Sequence, residues 1–544
     1  LRFWRLDAIP PGFHYDEAYE ALEAWRVITQ PGYHPIFFPG NFGVEPMFIY
    51  LTALAFRLFG ETPTVMRGVA AVIGTLTVPA LFGLGRELAL NDRRFPRSAA
   101  WLAALALAIM RWHITFSRVG IEPILVPLFL VWLLWAFWHG RRTGRAWAWA
   151  AAGAAAGAGV YVYPAARLLP ILLALLSLLA LIAARGAAAQ GEDGRAAAPR
   201  AIVRGLIVAW LAAVLVALPM AWHWWQHPDQ LLLRSSQIAV GAGDATRGSP
   251  LRNLLASLGM FIVRGDRDPR SNVPGMPAFD LLIGVPFMIG VGVALWRWKR
   301  PVFASLLLAG GLMLAPTIFS EHAPHFRRTI GEAPVAALFI GLGLAAILGR
   351  RTEAAPATAY VPATLAAGGW EPAALAGQMD RLRWWGRAVA VAAILAGSAT
   401  YSAIAYFDVW GGSNALFYAY DEGLWEIGRY VLGLKDGTRI FLSPRPATDM
   451  TLAFAWRNGP AVRRFDGRHA FIAPQGEQPA TYIIIDHEDF RGAMLLRDLY
   501  PDARLARAFY DRHGRGYARA FWVPRPGHIA RRPQTPLDGR WPAI

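Results

Sequence analysis

The chain has 544 residues, 55% of them hydrophobic, and a formal net charge of +17. This hydrophobic fraction excludes an ordinary soluble domain and predicts a polytopic α-helical membrane protein. The absence of cysteine excludes disulfides and thiol nucleophiles. Because the Lys and Arg residues lie in short loops between apolar runs, membrane topology accounts for the charge, and we expect no nucleic-acid partner.

The first outer loop follows a short apolar start. Leu1 to Leu6 has the composition of the end of a span, so we expect a first transmembrane helix to precede it. The loop 7–65 then carries the pair Asp16-Glu17 at the start of an amphipathic helix. The apolar segment Pro46–Phe59 is shorter than the roughly 20 residues of a span. We expect it to lie on the outer membrane surface as a juxtamembrane helix.

Ten further apolar runs are long enough, or nearly so, to cross a membrane, at about 66–90, 98–116, 120–138, 146–163, 166–184, 202–221, 279–296, 302–319, 330–349 and 386–407. Loops on one side are rich in arginine, at 93–97, 141–145, 185–204, 297–300 and 350–387. The positive-inside rule places these loops in the cytoplasm. The loops 7–65 and 222–278 and everything after Phe407 are then predicted to be extracytoplasmic, in a multi-pass plasma-membrane protein.

The sequence after Asp408 changes character. Helical periodicity alternates with short apolar stretches typical of buried strands; the helical segments are Tyr420 to Leu434 and Asp489 to Tyr500, and the strands are Arg439 to Ser443, Thr481 to Ile485 and Tyr517 to Val523. Alternating strands and helices predict a small α/β domain. The predicted organisation is a transmembrane domain over 1–407 and an extracytoplasmic α/β domain over 408–544.

Polar residues of the outer loops are candidates for chemistry, because acidic residues beside a membrane are expensive to desolvate. Asp16 and Glu17 can act as a general base on an acceptor hydroxyl, or can complement the dipole at a helix start. Glu45 precedes Pro46, where the chain is extended before a helix begins, so capping and a role in the site are both open. The segment Arg264 to Asn272 is polar and turn-rich, as in a lid or an acceptor-side loop.

Cations on the same face are candidates for binding phosphate, since Arg suits bidentate phosphate recognition. Arg67 can bind substrate or snorkel at the end of its span. Arg118 can bind substrate or form an ion pair with Glu122, four residues further on. Arg167 has aromatic neighbours. The densest cluster lies in one loop and comprises His322, His325, Arg327 and Arg328. These residues can bind a phosphate of the substrate or contact lipid headgroups. A zinc site at the two histidines lacks two further ligands.

Several short motifs occur in the order in which a known family carries them. They are Asp16-Glu17, Glu45-Pro46-Met47-Phe48-Ile49-Tyr50, Met66-Arg67-Gly68 leading into Gly74-Thr75-Leu76-Thr77-Val78-Pro79, Ser117-Arg118, Tyr163-Pro164-Ala165-Ala166-Arg167 and His325-Phe326-Arg327-Arg328. On these motifs, over its first two thirds, the chain resembles bacterial members of the protein O-mannosyltransferase and aminoarabinose transferase superfamily. Those proteins are membrane glycosyltransferases of the C-type fold.

The resemblance implies an inverting enzyme that moves a single hexose or pentose from a polyprenyl-phosphate carrier to a glycan, lipid or protein acceptor outside the cytoplasm. It implies Asp16 as the acceptor-activating base, with Glu17 beside it. Arg118, Arg167 and the loop 322–328 would hold the carrier phosphate. The lipid-linked sugar is the donor substrate, and a divalent ion at the paired carboxylates stays open.

Two other classes of protein compete with the transferase. A transporter or flippase of polyprenyl-linked sugars should show internal repeats and ionisable groups at mid-membrane. The chain has no clear repeat, and its candidate charges cluster at one face, which favours the enzyme. In a glycan-binding or assembly protein the C-terminal part would carry the function, and the carboxylates of the first loop argue against it.

Overall fold

The computed structural model describes residues 1–189, 199–231, 249–349, 372–434, 437–444, 449–474 and 476–529. Parts of the predicted loop 222–278 and of the predicted domain 408–544 therefore lie outside the described residues. The chain divides into two compact units. The first comprises Leu1–Ile9 and Ala24–Trp410, and the second comprises Pro10–Glu23 and Gly411–Ile544.

Helices make up the described part of the first unit. In chain order they are α1 Tyr15–Thr29 (which begins in the second unit), α2 Pro46–Phe59, α3 Pro63–Asn91, α4 Arg97–Ile109, α5 Arg111–Phe116, α6 Leu125–Thr143, α7 Ala146–Ala158, α8 Leu169–Ala189, α9 Pro199–Gln226, α10 Pro228–Leu231, α11 Pro250–Gly259, α12 Leu281–Trp296, α13 Pro301–Ile318, α14 Glu332–Leu348 and α15 Pro372–Ala403.

Six helices among the described residues are long and apolar enough to cross a membrane. They are Pro63–Asn91, Glu122–Thr143, Pro164–Gly186, Pro199–Gln226, Pro301–Ile318 and Met379–Trp410. The apolar helices α2, α4, α12 and α14 are shorter than a usual span. The helix α2 has the bounds that the sequence predicts for the juxtamembrane helix.

Local sequence sets where these helices begin and end. Thr62 caps α3 by accepting a hydrogen bond from the backbone N–H of Val65, and Pro63 occupies the first helical position. Asp280 caps α12 through the N–H groups of Leu282 and Ile283. The other carboxylate oxygen of Asp280 accepts a hydrogen bond from Ser398 at 2.6 Å, which ties α15 to the start of α12.

Glycines allow α12 and α14 to pack with their backbones in close approach. A Cβ atom added to Gly290 would lie 1.8 Å from the carbonyl oxygen of Phe339, and one added to Gly343 would lie 1.9 Å from that of Pro286. Small residues that let helix backbones meet are the usual means of helix association in membranes.

A pair of alanine substitutions within α12 tests this packing. Gly290→Ala is expected to destabilise the protein by about 1–3 kcal/mol, because the new methyl group forces the helices apart. Gly292→Ala is the matched control, since nothing lies within 4 Å of the added Cβ; it is expected to be neutral or to stabilise by up to about 1 kcal/mol. Thermal unfolding of the purified variants measures both, and equal melting temperatures would contradict the packing argument.

The second unit is an α/β fold around one five-stranded sheet. Its elements are α16 Asn414–Ala419, α17 Glu422–Leu432, β1 Arg439–Ser443, α18 Met450–Ala455, β2 Val462–Arg464, β3 Ala480–Ile485, α19 Phe490–Leu499, β4 Arg504–Tyr510 and β5 Gly516–Val523. The strand order is β2-β1-β3-β5-β4. The strand β3 is buried along its whole length, pairs parallel with β1 and antiparallel with β5, and so forms the centre of the sheet.

A short N-terminal segment belongs to this second unit. The sequence assigns Pro10–Glu23 to the outer loop 7–65, yet the segment packs with the α/β fold. The ring of Phe13 lies 5.1 Å from that of Phe454, and its carbonyl oxygen accepts a 2.9 Å hydrogen bond from Thr451. Gly12 has φ +59°, and a Cβ there would meet the carbonyl oxygen of Tyr420 at 2.3 Å, so this position requires glycine.

Candidate functional site

A cationic cavity of about 690 Å³ lies in the first unit, between the end of α11, the segment 263–270 and the loop after α13. Its lining includes four arginines, Arg252, Arg264, Arg267 and Arg270, and two histidines, His322 and His325. Of the carboxylates that line it, Asp268 is engaged by Arg270 at 2.8 Å. A cavity of this size and charge has the properties of a site for an anionic ligand.

Asp266 joins the two loops that form the cavity. Its carboxylate accepts one hydrogen bond from the N–H of Asp268 at 2.9 Å and another from the N–H of Phe326 at 2.8 Å. Its carbonyl oxygen accepts hydrogen bonds from Gly275 and from the side chain of Asn272. Burial raises the pKa of this carboxyl above its ordinary value, and the two backbone N–H groups oppose that effect.

Two residues of α5 hold these loops in place through hydrogen bonds. The buried guanidinium of Arg111 donates to the side-chain oxygen of Asn272 at 2.5 Å and to the carbonyl oxygen of Pro277 at 2.6 Å. The indole of Trp112 donates to the carbonyl oxygen of Phe326 at 3.2 Å, and the two rings pack 5.3 Å apart. The loops are therefore held in place before any ligand binds, which reduces the cost of ordering them.

The surroundings of His325 disfavour protonation of its ring. Burial, together with the guanidiniums of Arg328 and Arg327, holds its pKa well below the ordinary value of a histidine. Its Nδ1 lies 3.8 Å from a carboxylate oxygen of Asp266. A bound phosphate would add negative charge beside the ring and raise this pKa, so binding should take up a proton.

This coupling predicts a pH dependence of ligand binding. Because the bound state holds the proton more tightly than the free state, the affinity for a lipid phosphodiester should rise, by up to about tenfold per pH unit, as the pH falls through the pKa of His325 in the bound state, and should level off below its depressed pKa in the free state. His325→Asn should flatten this dependence. The dissociation constant measured as a function of pH checks the prediction, and an affinity of the native protein that does not change with pH would contradict it.

The approach to the cavity is apolar. Leu255 and Val263 line it together with the cations, and both are strongly exposed, as are Leu251 and Leu258 on the same helix α11. Asn253 fixes this helix by donating to the carbonyl oxygens at the end of α13, at 3.1 and 2.8 Å. A ligand with an anionic group and a long apolar tail matches this combination of surfaces.

A second cluster pairs Glu45 with Arg167. The fully buried Glu45 carboxylate accepts a 2.8 Å hydrogen bond from Arg167. Arg167 also donates to the carbonyl oxygen of Leu231 at 2.7 Å and lies 4.6 Å from the ring of Trp224. Of the predicted site residues, the structure thus brings Glu45 and Arg167 together, and His322 and His325 together in the cavity.

Arg118 has a different environment from the one that the sequence predicts. All five of its N–H groups donate: four bonds go to the carbonyl oxygens of residues 1, 2, 5 and 9, and one goes to the hydroxyl of Tyr406. The guanidinium also lies over the rings of Tyr406 and Phe407. No donor remains for a phosphate, so the geometry favours a role in fixing residues 1–9.

Arg118→Lys tests this structural role. Lysine keeps the charge but cannot reach the acceptors of a guanidinium with its three donors. We expect a loss of about 2–4 kcal/mol in stability, because several buried carbonyl groups lose a charged partner. Thermal unfolding measures this loss. Unchanged stability with weakened binding of a lipid phosphate would instead assign Arg118 to the ligand.

The remaining cations lie outside the cavity lining. Arg67 is almost completely buried near the start of α3. Arg327 is buried and Arg328 is half-buried; neither lines the cavity, but the charges of both act on His325. They can therefore contribute to the potential of the cavity without lining it.

The acidic pair lies at the start of α1, in the part of that helix that belongs to the second unit. Glu17 is fully buried and accepts a hydrogen bond from the N–H of His14 at 3.4 Å, which is one half of a capping box. Asp16 keeps 19% of its side chain exposed, and its N–H donates to the Nδ1 of His14. Asp16 is thus the more accessible of the two carboxylates.

Metal ligands do not cluster in the part of the chain that the structure describes. Within those ranges there is no group of three or more His, Asp or Glu residues arranged to hold an ion. The rings of His322 and His325 stack 6.2 Å apart. The described residues therefore offer these two histidines no third ligand for zinc.

Arg252, Arg264 and Arg267 line the cavity, and sequence reasoning assigned none of them a role. The segment 264–272 is recognisable as polar and turn-rich, but its pairing with the loop after α13 depends on tertiary contacts of Asp266. Arg252 lies on an amphipathic helix, where a single exposed arginine carries no signal of its own.

Comparison with known proteins bears on the family match of one segment and on the fold. Residues 34–189 match the family model described as dolichyl-phosphate-mannose-protein mannosyltransferase. No curated protein matches the chain. Crystal structures of ArnT from Cupriavidus metallidurans, one bound to undecaprenyl phosphate and one in the apo state, superimpose with a TM-score of 0.55 at 15% identity. The first alignment covers 95% of this chain and 96% of that one, and the second covers 95% of both.

The oligosaccharyltransferase of Archaeoglobus fulgidus is similar at a TM-score of 0.46 and 16% identity, over 82% of this chain and 60% of that chain.

The chain is therefore a polytopic membrane protein with the fold of ArnT, the C-type glycosyltransferase fold, and a small C-terminal sheet domain. The resemblance that the sequence predicts is confirmed over residues 34–189, which match the mannosyltransferase family model, and in the fold, which is that of ArnT.

Proposed function

We propose that the protein is a membrane glycosyltransferase that takes a single sugar from a polyprenyl-phosphate carrier. The observation that supports this most directly is the cationic cavity, which combines four arginines and two histidines with an apolar approach along α11. The phosphate of a lipid-linked sugar would bind the cations, and the polyprenyl chain would follow the exposed leucines. That ArnT of the same fold binds undecaprenyl phosphate supports this ligand class.

The reaction proposed is an inverting displacement. Asp16 accepts the proton of an acceptor hydroxyl while the acceptor oxygen attacks the anomeric carbon, and the bond from that carbon to the phosphate oxygen breaks. Polyprenyl phosphate leaves with the electron pair of that bond. Arginines near the phosphate stabilise the negative charge of the leaving group, which is where electrostatic catalysis has its largest effect. Glu17 orients the start of α1 through His14.

The predicted topology supports a proposal for the side of the membrane on which the reaction occurs. The acceptor, a glycan, lipid or protein, is proposed to lie outside the cytoplasm, with the active site and the C-terminal domain on that side of the plasma membrane. Glu45 and Arg167 are proposed to contact substrate or to shape the site as a pair. Arg67 is proposed to act near the outer end of α3.

A donor panel tests the proposal. Purified protein in proteoliposomes is incubated with polyprenyl-phosphate hexoses and pentoses that carry a radiolabelled sugar, together with membrane extract as the source of acceptor. We expect one donor class to lose its label to a new product, with polyprenyl phosphate formed in equal amount. Full retention of label on every donor, under conditions in which the protein remains folded, would contradict the proposed activity.

A further inference from the structure

A second cavity, of about 920 Å³, lies at the arginine-rich end of the first unit. It is bounded by the end of α3, the start of α4 and the ends of α12 and α14. The predicted phosphate cavity adjoins the residues before α12 and after α13, whereas this one adjoins the residues after α12 and before α13. The second cavity is thus separate from the proposed active site and lies on the face that charge distribution predicts to be cytoplasmic.

The rim of this cavity carries positive charge that the described residues do not neutralise. Arg93, Arg94 and Arg97 are exposed and have no carboxylate partner within the described ranges. The nearest acidic residue in sequence, Asp92, is already engaged: it accepts hydrogen bonds from Arg300 at 3.0 Å and from the N–H of Arg94 at 2.8 Å. The rim therefore favours an anionic ligand.

The start of α4 adds to this preference. Arg97 and Ser98 occupy its first turn and line the cavity, and the cap residue Pro96 provides no side-chain hydrogen bond to the helix. The positive end of the helix dipole and its N–H groups therefore face an arginine instead of a carboxylate. Arg297 completes the rim and is oriented by its 2.7 Å hydrogen bond to the carbonyl oxygen of Arg94.

The walls below the rim are apolar. They include Trp101, which is 42% exposed, together with Leu342 and the exposed Ala346. The positive-inside rule accounts for arginines in these loops, but it does not require a concave, apolar-walled crevice between four helix ends. A charged rim above an apolar crevice fits a molecule with an anionic head and a hydrocarbon chain, and basic crevices between helices on this side bind such headgroups.

We propose that this second cavity binds an anionic phospholipid of the cytoplasmic leaflet. The phosphate of the headgroup contacts Arg93, Arg94 and Arg97, and an acyl chain lies along Trp101 and Ala346. The proposal concerns a stabilising lipid, not the donor, and it holds whether or not the proposed transferase activity is correct.

Native mass spectrometry of the full-length protein tests the lipid site. Protein is titrated with phosphatidylglycerol or with phosphatidylcholine of the same chains, and we expect the first phosphatidylglycerol to bind at least tenfold more tightly. The variant Arg93→Gln/Arg94→Gln/Arg97→Gln should lose this preference.

A control of equal charge change separates the cavity from the general charge of the face. Arg145, Arg200 and Arg204 are exposed residues of the other arginine-rich loops, and replacing all three with Gln should leave the preference intact. An equal loss in both triple variants would reduce the effect to diffuse surface charge and overturn the proposal.

A variant that changes no charge provides an independent test in case the triple variant misfolds. Ala346→Trp fills the crevice from an exposed position and should also abolish the tight phosphatidylglycerol site. Retention of the site in Ala346→Trp would overturn the proposed position of the acyl chain. Displacement of phosphatidylglycerol by glycerol 3-phosphate at comparable concentration would assign the cavity to a soluble anion and likewise overturn the lipid proposal.

Discussion

Asp16→Asn is expected to lower turnover by 10²–10⁴-fold, about the contribution of a positioned general base. The substitution keeps the size of the side chain and much of its hydrogen bonding but removes the group that accepts the proton. Donor binding should survive, because the cavity that is proposed to bind the phosphate contains no part of the segment 10–23. Initial rates and donor dissociation constants of the purified variant measure the two effects separately.

Two comparison variants make this test specific. Asp7→Asn removes an exposed carboxylate from the same predicted loop and should leave turnover unchanged. Glu17→Gln should have a smaller effect on turnover than Asp16→Asn, since the buried Glu17 acts through the start of α1. Near-normal turnover in Asp16→Asn would remove Asp16 from the mechanism, and Glu45 would be the next carboxylate to examine.

The second large effect is expected from the cationic cavity. Replacing Arg252, Arg264 and Arg267 together with Gln should raise the Michaelis constant for the lipid-linked donor by about 10–100-fold. Losing one or two charge-assisted hydrogen bonds to phosphate costs about 1.5–3 kcal/mol, and each 1.4 kcal/mol is a factor of ten. All three side chains line the cavity and Arg264 and Arg267 are exposed, so folding should be little affected.

The matched control removes the same number of positive charges outside the cavity, from loops that the sequence predicts to be cytoplasmic. The triple Gln variant of Arg145, Arg200 and Arg204 should keep the Michaelis constant of the native protein. If both triple variants raise it equally, the donor responds to overall charge, and the cavity is not its phosphate site. A thermal unfolding curve for each variant confirms that the proteins compared are folded.

The sequence predicts best those elements whose own residues show the pattern of a buried strand or an apolar helix. The apolar helix Pro46–Phe59 and the strand Arg439–Ser443 were predicted with the bounds that the structure has. The strands β2 and β4 were not predicted. They lie at the two edges of the sheet, and β4 is mostly exposed, so neither has the continuous apolar run of a buried strand.

The site was less predictable, because backbone acceptors leave no trace in a sequence. The four carbonyl groups that bind Arg118 belong to residues of any type, so its motif reads equally well as a phosphate site. Likewise, the assignment of Pro10–Glu23 to the C-terminal unit depends on contacts of Phe13 with residues more than 400 positions away. The type of charge on each loop can be read from the sequence, but which loops meet cannot.

The most direct test of the account measures two quantities in the same vesicles: release of polyprenyl phosphate, and movement of the intact lipid-linked sugar across the bilayer. The account predicts release in step with sugar transfer to the acceptor, loss of both in Asp16→Asn, and no movement of the intact lipid above that in protein-free vesicles. Movement of the intact lipid-linked sugar without release of polyprenyl phosphate would contradict it and identify a transporter.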